Sequence, residues 1–321
     1  MHKQNAGGKC HMTTYQLEPV RETLHGSFSR DYPPVLTIES GDTVLFRTLD
    51  ATWTLEAPLS VGQVRRRFEP RVAGRDDGHA LCGPIALRGA QPGMTLQITI
   101  NEVRPGTWGW TSGGGRESAI TRRLGLAEQG VELLWKLDAD TFKGTDQYGH
   151  VIPLRPFMGV LGMPPAEAGV HSTIPPRVWG GNIDCRELVA GSTLYLPIAV
   201  AGALFSVGDG HAVQGDGEVS GVAIECPMER VSLTFQLCDD LHLTTPRART
   251  EAGWITFGFH EDLHEAALMA LEAMLEVMGE HYQLPRAQAL ALASLIVDLR
   301  VTQIVNGVLG IHAMLAHGAM H

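Results

Sequence analysis

Lysine is scarce in this chain. Four of its 25 basic side chains are lysine (Lys3, Lys9, Lys136 and Lys143), and none follows position 143. A mechanism built on a catalytic lysine therefore has very few candidates. The five cysteines (Cys10, Cys82, Cys185, Cys226 and Cys238) are scattered and contain no C-x-x-C. A cysteine-only zinc site gains no support, and the odd count leads us to expect reduced thiols in a cytoplasm. No basic run exceeds Arg65-Arg66-Arg67, and the net charge is −10, so no nucleic-acid partner is expected. The longest apolar stretch, ALALASLIV at 289–297, is closed by Asp298 and Arg300 and is too short to span a bilayer, so no membrane partner is expected either. The opening MHKQNAGGKCHMTTYQLEP has no apolar core and is expected not to be a signal peptide. Common motifs are missing too. G-x-G-x-x-G before a helix and G-x-S-x-G are absent, and SGGGRES at 112–118 lacks the lysine of a phosphate loop.

Glycine and proline are plentiful, at 37 and 18 residues spread along the chain. They punctuate many short segments, which favours strands and turns. The stretch 33–57 reads as two or three strands around a Gly41-Asp42 turn. Residues 85–106 repeat the design, with Leu96, Ile98 and Ile100 alternating after a Pro-Gly turn, and 187–211 does so a third time. This recurrence predicts an all-β sandwich rather than βαβ units. Residues 107–128 are polar and Gly-rich and are expected to form a long loop near function. VELLWKLD at 131–138 reads as a strand. Beyond about 260 the pattern turns helical. Leu263, Leu268, Leu271, Leu275 and Met278 recur every three or four residues, a second helix is expected over 285–300, and 301–306 returns to strand character. The expected organisation is a flexible tail over 1–12, a β-sandwich body carrying the site over 13–258, and a helical hairpin plus strand over 259–321, packed on the body or on a dimer partner.

The densest chemistry lies in FSVGDGHAVQGDGEVSGVAIE at 205–225, which holds Asp209, His211, Asp216, Glu218 and Glu225. Asp209 and His211 are two apart, as are Asp216 and Glu218, so each pair shares a face of an extended chain. Carboxylates converging on an imidazole suit a divalent metal such as zinc. A Gly-Asp hairpin with solvated charges accounts for the spacing equally well. Asp184, just after Gly180-Gly181-Asn182, is a ligand candidate or an Asx-turn residue. His79 is a loop histidine, a type more often simply at the surface. Cys82 and Cys185 lie beside these residues; a buried small hydrophobe is favoured for both over a thiol nucleophile. Trp108 and Trp110 are candidates for the wall of a small apolar pocket or for core packing.

FSRDYPPVLTIESGDTV, GPIALRGAQPGMTLQITI, the block 178–225 containing WGGNIDCREL, and DLRVTQIVN together resemble the acetamidase/formamidase family, with similarity over about 13–312. The resemblance implies a mainly β fold, a jelly-roll-like β-sandwich with an added α+β C-terminal part containing a helical hairpin. It implies a homodimer or higher homo-oligomer and a metal-dependent hydrolase of a small linear amide that releases ammonia. The implied cofactor is zinc, with calcium as a further cation, held by Asp184, His211 and Glu218, with His79 a further ligand candidate. Glu218 and Glu225 are the catalytic carboxylates, one as base and the other as ligand, with the split left open. Between 110 and 125 the sequence departs from the family, which puts acetamide or formamide as the substrate in question. A non-catalytic metal-binding sandwich is the alternative, as is a hydrolase of a carbamate, a urea-like compound or a lactone.

One short pattern competes with this site. GFHEDLHEAA at 258–267 contains a literal H-E-x-x-H in His260, Glu261 and His264, the spacing of zinc peptidases when it lies on a helix. Related chains carry acids here before a helix, so the match is expected to be coincidental.

Overall fold

A computed structural model describes residues 12–320. All of the expected tail except Met12 lies outside the described residues. The fold is mainly β. The larger sheet has nine strands, in the order Thr14–Leu17, Thr43–Thr48, Met228–Cys238, Thr95–Pro105, Thr193–Pro197, Arg247–Arg249, Gly253–His260, Leu309–Ala316 and Val297–Gln303. A seven-stranded sheet runs through Gly180–Asn182, Phe157–Gly162, Phe205–His211 and Leu81–Leu87 at its centre. A four-stranded sheet contains Trp108–Gly114 and Gly130–Asp138.

The two large sheets share one hydrophobic core. Alternation places Leu96, Ile98 and Ile100 inside, as the sequence pattern predicts, while Gln97 and Thr99 stay partly exposed. From the other sheet come Ile85, Leu87, Phe205 and Val207. Phe205 meets Phe235 edge to face across the gap, with ring centroids 5.1 Å apart. Each such fully buried aliphatic or aromatic side chain contributes roughly 1.5–3 kcal/mol of transfer free energy. Phe205–His211 is buried along its whole length, so its polar end cannot be hydrated.

Three local expectations change. Residues 107–128 are not a long loop. Trp108–Gly114 pairs antiparallel with Gly130–Asp138, and Ala119–Leu124 is a short helix whose Ser118 cap and Thr121 bond each other reciprocally. The polar, glycine-rich composition hid the strand because the pairing partner comes from 16 or more residues later. The second C-terminal helix ends at Ile296 rather than 300; Val297–Gln303 pairs along Leu309–Ala316 and forms an edge of the nine-stranded sheet. Finally, the helix Leu263–Tyr282 buries only the later part of the leucine stripe, Leu275 and Met278. Leu263 and Leu268 are exposed, and the buried face runs through Ala266, Ala270, Met274, Val277 and Met278. The alanines let the helix sit close on the sheet, where Thr256 Oγ1 donates to Ala270 O at 2.7 Å. Among the described residues no helix is long and apolar enough to cross a membrane.

Candidate metal centre

Three segments meet at the end of Phe205–His211. The strand supplies Asp209 and His211, the turn after Asn182 supplies Asp184, and the returning loop supplies Glu218 and Glu225. Asp184, His211, Glu218 and, separately, Asp209, His211, Glu225 bring one potential ligand atom each to within 4.8 Å of one another. All five residues are buried. His211 belongs to both groups. Its Nε2 lies 3.4 Å from Asp209 Oδ1 and 3.4 Å from Glu225 Oε1.

The backbone is bent to achieve this. Asp184, Asp209 and Glu218 have φ of 51°, 59° and 46°, in the left-handed region that costs non-glycine residues free energy and recurs at functional sites. The strand opposite Asp209 contributes Gly159. A Cβ there would sit 2.7 Å from Asp184 Oδ1, 2.9 Å from His211 Cε1, and closer still to Asp209 Oδ2. Only a residue without a side chain leaves room for the two carboxylates and the imidazole.

Glu225 is fixed from both sides. Its backbone exchanges hydrogen bonds with Trp110, N to O at 2.9 and 3.0 Å, and its Oε1 accepts from Ala223 N at 3.0 Å. Asp184 accepts at Oδ2 from Asn306 Nδ2 (2.8 Å), and its carbonyl accepts from Gln214 Nε2 (2.8 Å). Such outer partners set the direction of ligand oxygens.

Electrostatically, the cluster holds more acid than it can ionise without a counter-charge. Burial pushes the Asp184 carboxyl well above the ordinary carboxylate range, and the nearby Glu218 carboxylate adds to the rise. Burial likewise pushes Glu218 up to about 8 and raises Glu225. Burial would raise Asp209 as well, but the adjacent His211 overcomes it and holds Asp209 below its usual value. Burial would lower His211; Glu225 and Asp209 reverse that and hold it well above the ordinary imidazole value. These are signs of groups sharing too few positive charges. Asp184 Oδ1, His211 Nδ1, Glu218 Oε2 and Glu225 Oε2 are buried without a hydrogen-bond partner. Buried, partnerless polar atoms on these four residues, which belong to two candidate ligand groups sharing His211, fit a divalent cation.

A cavity of about 350 Å³ opens onto the cluster, lined among others by Asp209, Glu218, Glu225, His79, Asn182 and Trp110. His79 joins neither ligand group among the described residues; its Nδ1 pairs with Thr173 Oγ1 at 2.9 Å. Asn182 Oδ1 is buried and has no partner. Trp108 faces a different recess, beside Pro227 and Met228.

Asp216 leaves the site. It pairs with Arg300, whose Nε donates to Asp216 Oδ2 at 2.8 Å. The expected shared face with Glu218 fails because Gly217 at φ 95° turns the chain, and alternation holds only for extended backbone. The H-E-x-x-H residues do not lie on one helix. His260 ends a strand, Glu261 follows it, and His264 is in the first turn of the helix capped by Asp262. All three are exposed. Asp209, which the sequence grouped with His211 without giving it a role as ligand or base, joins His211 and Glu225 in the second group. Asn306 and Gly159 entered no predicted site, and nothing local marked them.

Residues 13–171 and 166–309 match the model of the acetamidase/formamidase family. The chain is 27% identical over 250 residues to a formamidase of Methylophilus methylotrophus, covering 61% of this chain and 60% of that one. It is 27% identical over 255 residues to an acetamidase of Mycolicibacterium smegmatis, covering 61% of each. The match thus spans about three fifths of the length of these relatives. The crystal structure of an acetamidase from Bacillus halodurans superposes with a TM-score of 0.81 at 26% identity, covering 94% of this chain and 97% of that one.

Proposed function

The chain belongs to the acetamidase/formamidase family, and from that membership we propose that the buried cluster hydrolyses a small linear amide, formamide- or acetamide-like, to ammonia and a carboxylate. The observation that carries this reading is the set of partnerless polar atoms on Asp184, His211, Glu218 and Glu225, in two ligand groups that share His211, with Glu218 and Glu225 lining a small cavity. We place the cation on Asp184, His211 and Glu218, with zinc preferred because an imidazole is present and calcium as the oxygen-rich alternative. When bound, such a cation supplies Lewis acidity toward a carbonyl oxygen and toward water.

The chain's own groups do the rest. Water adds to the amide carbon, the C–N bond breaks, and one water proton goes to nitrogen so that ammonia leaves. Glu225 faces the cavity and is braced by Ala223 N and His211; in this reading it takes that proton at its free Oε2 and returns it to nitrogen. Asn182 Oδ1 accepts an N–H of the substrate amide. Trp110 walls the cavity and excludes water, and His79 faces the substrate rather than the cation. With this reading goes a jelly-roll-like wrap of the two large sheets. A second copy of the chain packs on the exposed Leu268, Leu290 and Leu295 of the two C-terminal helices; Leu295→Glu is expected to lower the mass measured by light scattering.

Elemental analysis of purified protein, coupled to ammonia release from formamide and acetamide, tests the proposal. Bound divalent cation and turnover that is lost on slow chelation are expected. Iodoacetamide should do little, because burial pushes the Cys82 and Cys185 thiols up to about 12. Full turnover by metal-free protein, or inactivation by iodoacetamide with indifference to chelators, would sink it.

A further inference from the structure

The cavity is acidic at its floor and cationic at its rim. Asp209, Glu218 and Glu225, all buried, line its inner end, while the exposed Arg67, Arg71 and Arg116, with one exposed acid, Asp77, among them, line its mouth. A formamide-sized molecule needs only the floor, yet the cavity measures about 350 Å³, enough for a longer ligand. Arginines at an exposed rim are common, so what matters is how these are held.

Arg67 and Arg116 make no ion pair among the described residues. This is notable in a chain with 35 acids against 25 Lys and Arg, where acid partners are plentiful. If the two served to neutralise the buried cluster, they would pair with it, and they do not. Arg116 is nonetheless positioned. Its Nη2 donates to Ser220 O at 2.7 Å, and its guanidinium occupies the space that a side chain on Gly221 would need. Gly221 N in turn donates to Glu218 O at 2.7 Å, so one loop presents both a floor carboxylate and a rim guanidinium. Across the mouth, Arg71 lies over the Trp53 ring at 5.8 Å, and Trp53 also lines the cavity.

Taking the amidase reading of the site as its basis, we propose that the substrate is a short amide whose far end carries a carboxylate, the monoamide of a dicarboxylic acid, gripped at that end by Arg67 and Arg116 with Arg71 beside them. The guanidinium fork matches a carboxylate in geometry and charge, and such charge-assisted hydrogen bonds are about twice as strong as neutral ones.

The test compares ammonia release from succinamate and from its neutral isostere 4-oxopentanamide, using the metal-loaded protein. The acid is expected to be preferred about tenfold or more in kcat/KM, mainly through KM, with the preference shrinking as salt rises. Arg67→Gln and Arg116→Gln should each cut the preference several-fold, their combination should remove it, and Arg116→Lys should restore part of it. No preference, or a preference that survives the double substitution, overturns the proposal. Should neither amide be turned over, the amidase reading fails, while calorimetric binding of succinate still decides this one. Binding that weakens about tenfold or more in the double variant supports the cationic rim, and absent or unaffected binding refutes it.

Discussion

Two stretches of this chain hold histidine among acids, and they end in opposite physical states. At 260–265, His260, Glu261 and His264 are exposed, and the charged groups serve the helix terminus: Asp262 accepts from His264 N at 2.7 Å and Glu265 N at 3.3 Å. At 209–225, His211, Asp209, Glu218 and Glu225 are buried, and several of their polar atoms have no partner. A spacing that fits a short metal pattern belongs to the first, while the second fits none. Burial without satisfaction is therefore a stronger physical reason to look for a cation than letter spacing is. Water satisfies an exposed carboxylate at no cost, whereas a buried one needs a proton, a partner or a metal.

The contrast breaks most sharply at His211, which both ligand groups share. His211→Ala is expected to remove bound cation and to lower ammonia release by about a thousandfold or more; retention of metal with near-normal turnover would place the centre elsewhere. Gly159→Ala comes next. The added methyl fills the space shared by Asp184, Asp209 and His211, so activity should fall by about a hundredfold, since a displacement of roughly 1 Å at a reacting centre can cost that much. Circular dichroism and a melting curve would separate this from misfolding. Asn306→Ala frees Asp184 Oδ2 and should weaken metal affinity by about tenfold, as loss of an outer-shell partner does, read by competition with a chelator.

The remaining predictions concern the exposed stretch. Asp262→Ala should lower Tm slightly and leave turnover untouched. The bonds from His264 N and Glu265 N hold the Asp262 carboxyl below its usual range, so its contribution is present above the unfolded value of about 3.9 and fades as pH falls through the lower folded value. The Tm gap between variant and wild type should therefore close in acid. Smallest of all, His260→Ala with His264→Ala should change neither metal content nor ammonia release; loss of metal there would restore the short pattern to significance.

Much of the fold was legible. The alternation of Leu96, Ile98 and Ile100 named their core face, the three-to-four-residue recurrence from Leu263 to Met278 marked a helix, and the block 178–225 carried the family. What failed did so for identifiable reasons. The Leu263 and Leu268 stripe is exposed because close packing on a sheet selects alanine, which periodicity alone undervalues. The strand Trp108–Gly114 has three glycines among its seven residues, which hid it despite Trp108, Trp110 and Thr111, and it exists because Gly130–Asp138 pairs with it. Asp216 was grouped with Glu218 on the assumption of an extended chain, and Gly217 and Glu218 take left-handed backbone instead.

By itself the sequence determined which groups were present: an acid-rich chain with few lysines, buried-type cysteines, and one loop crowded with carboxylates around a histidine. Local pattern also marked several strands, among them Thr43–Thr48, Thr95–Pro105 and Gly130–Asp138, because side-chain alternation is a property of neighbouring residues. Only the tertiary structure decided which of those acids meet. Asp184, Asp209, Glu218 and Glu225 are joined to one imidazole by the meeting of three segments over Gly159, and Asn306 reaches them from 122 residues beyond Asp184. Convergence of this kind depends on burial and on left-handed turns. The free energy that holds like charges together comes from the packed core around them rather than from their own sequence neighbours.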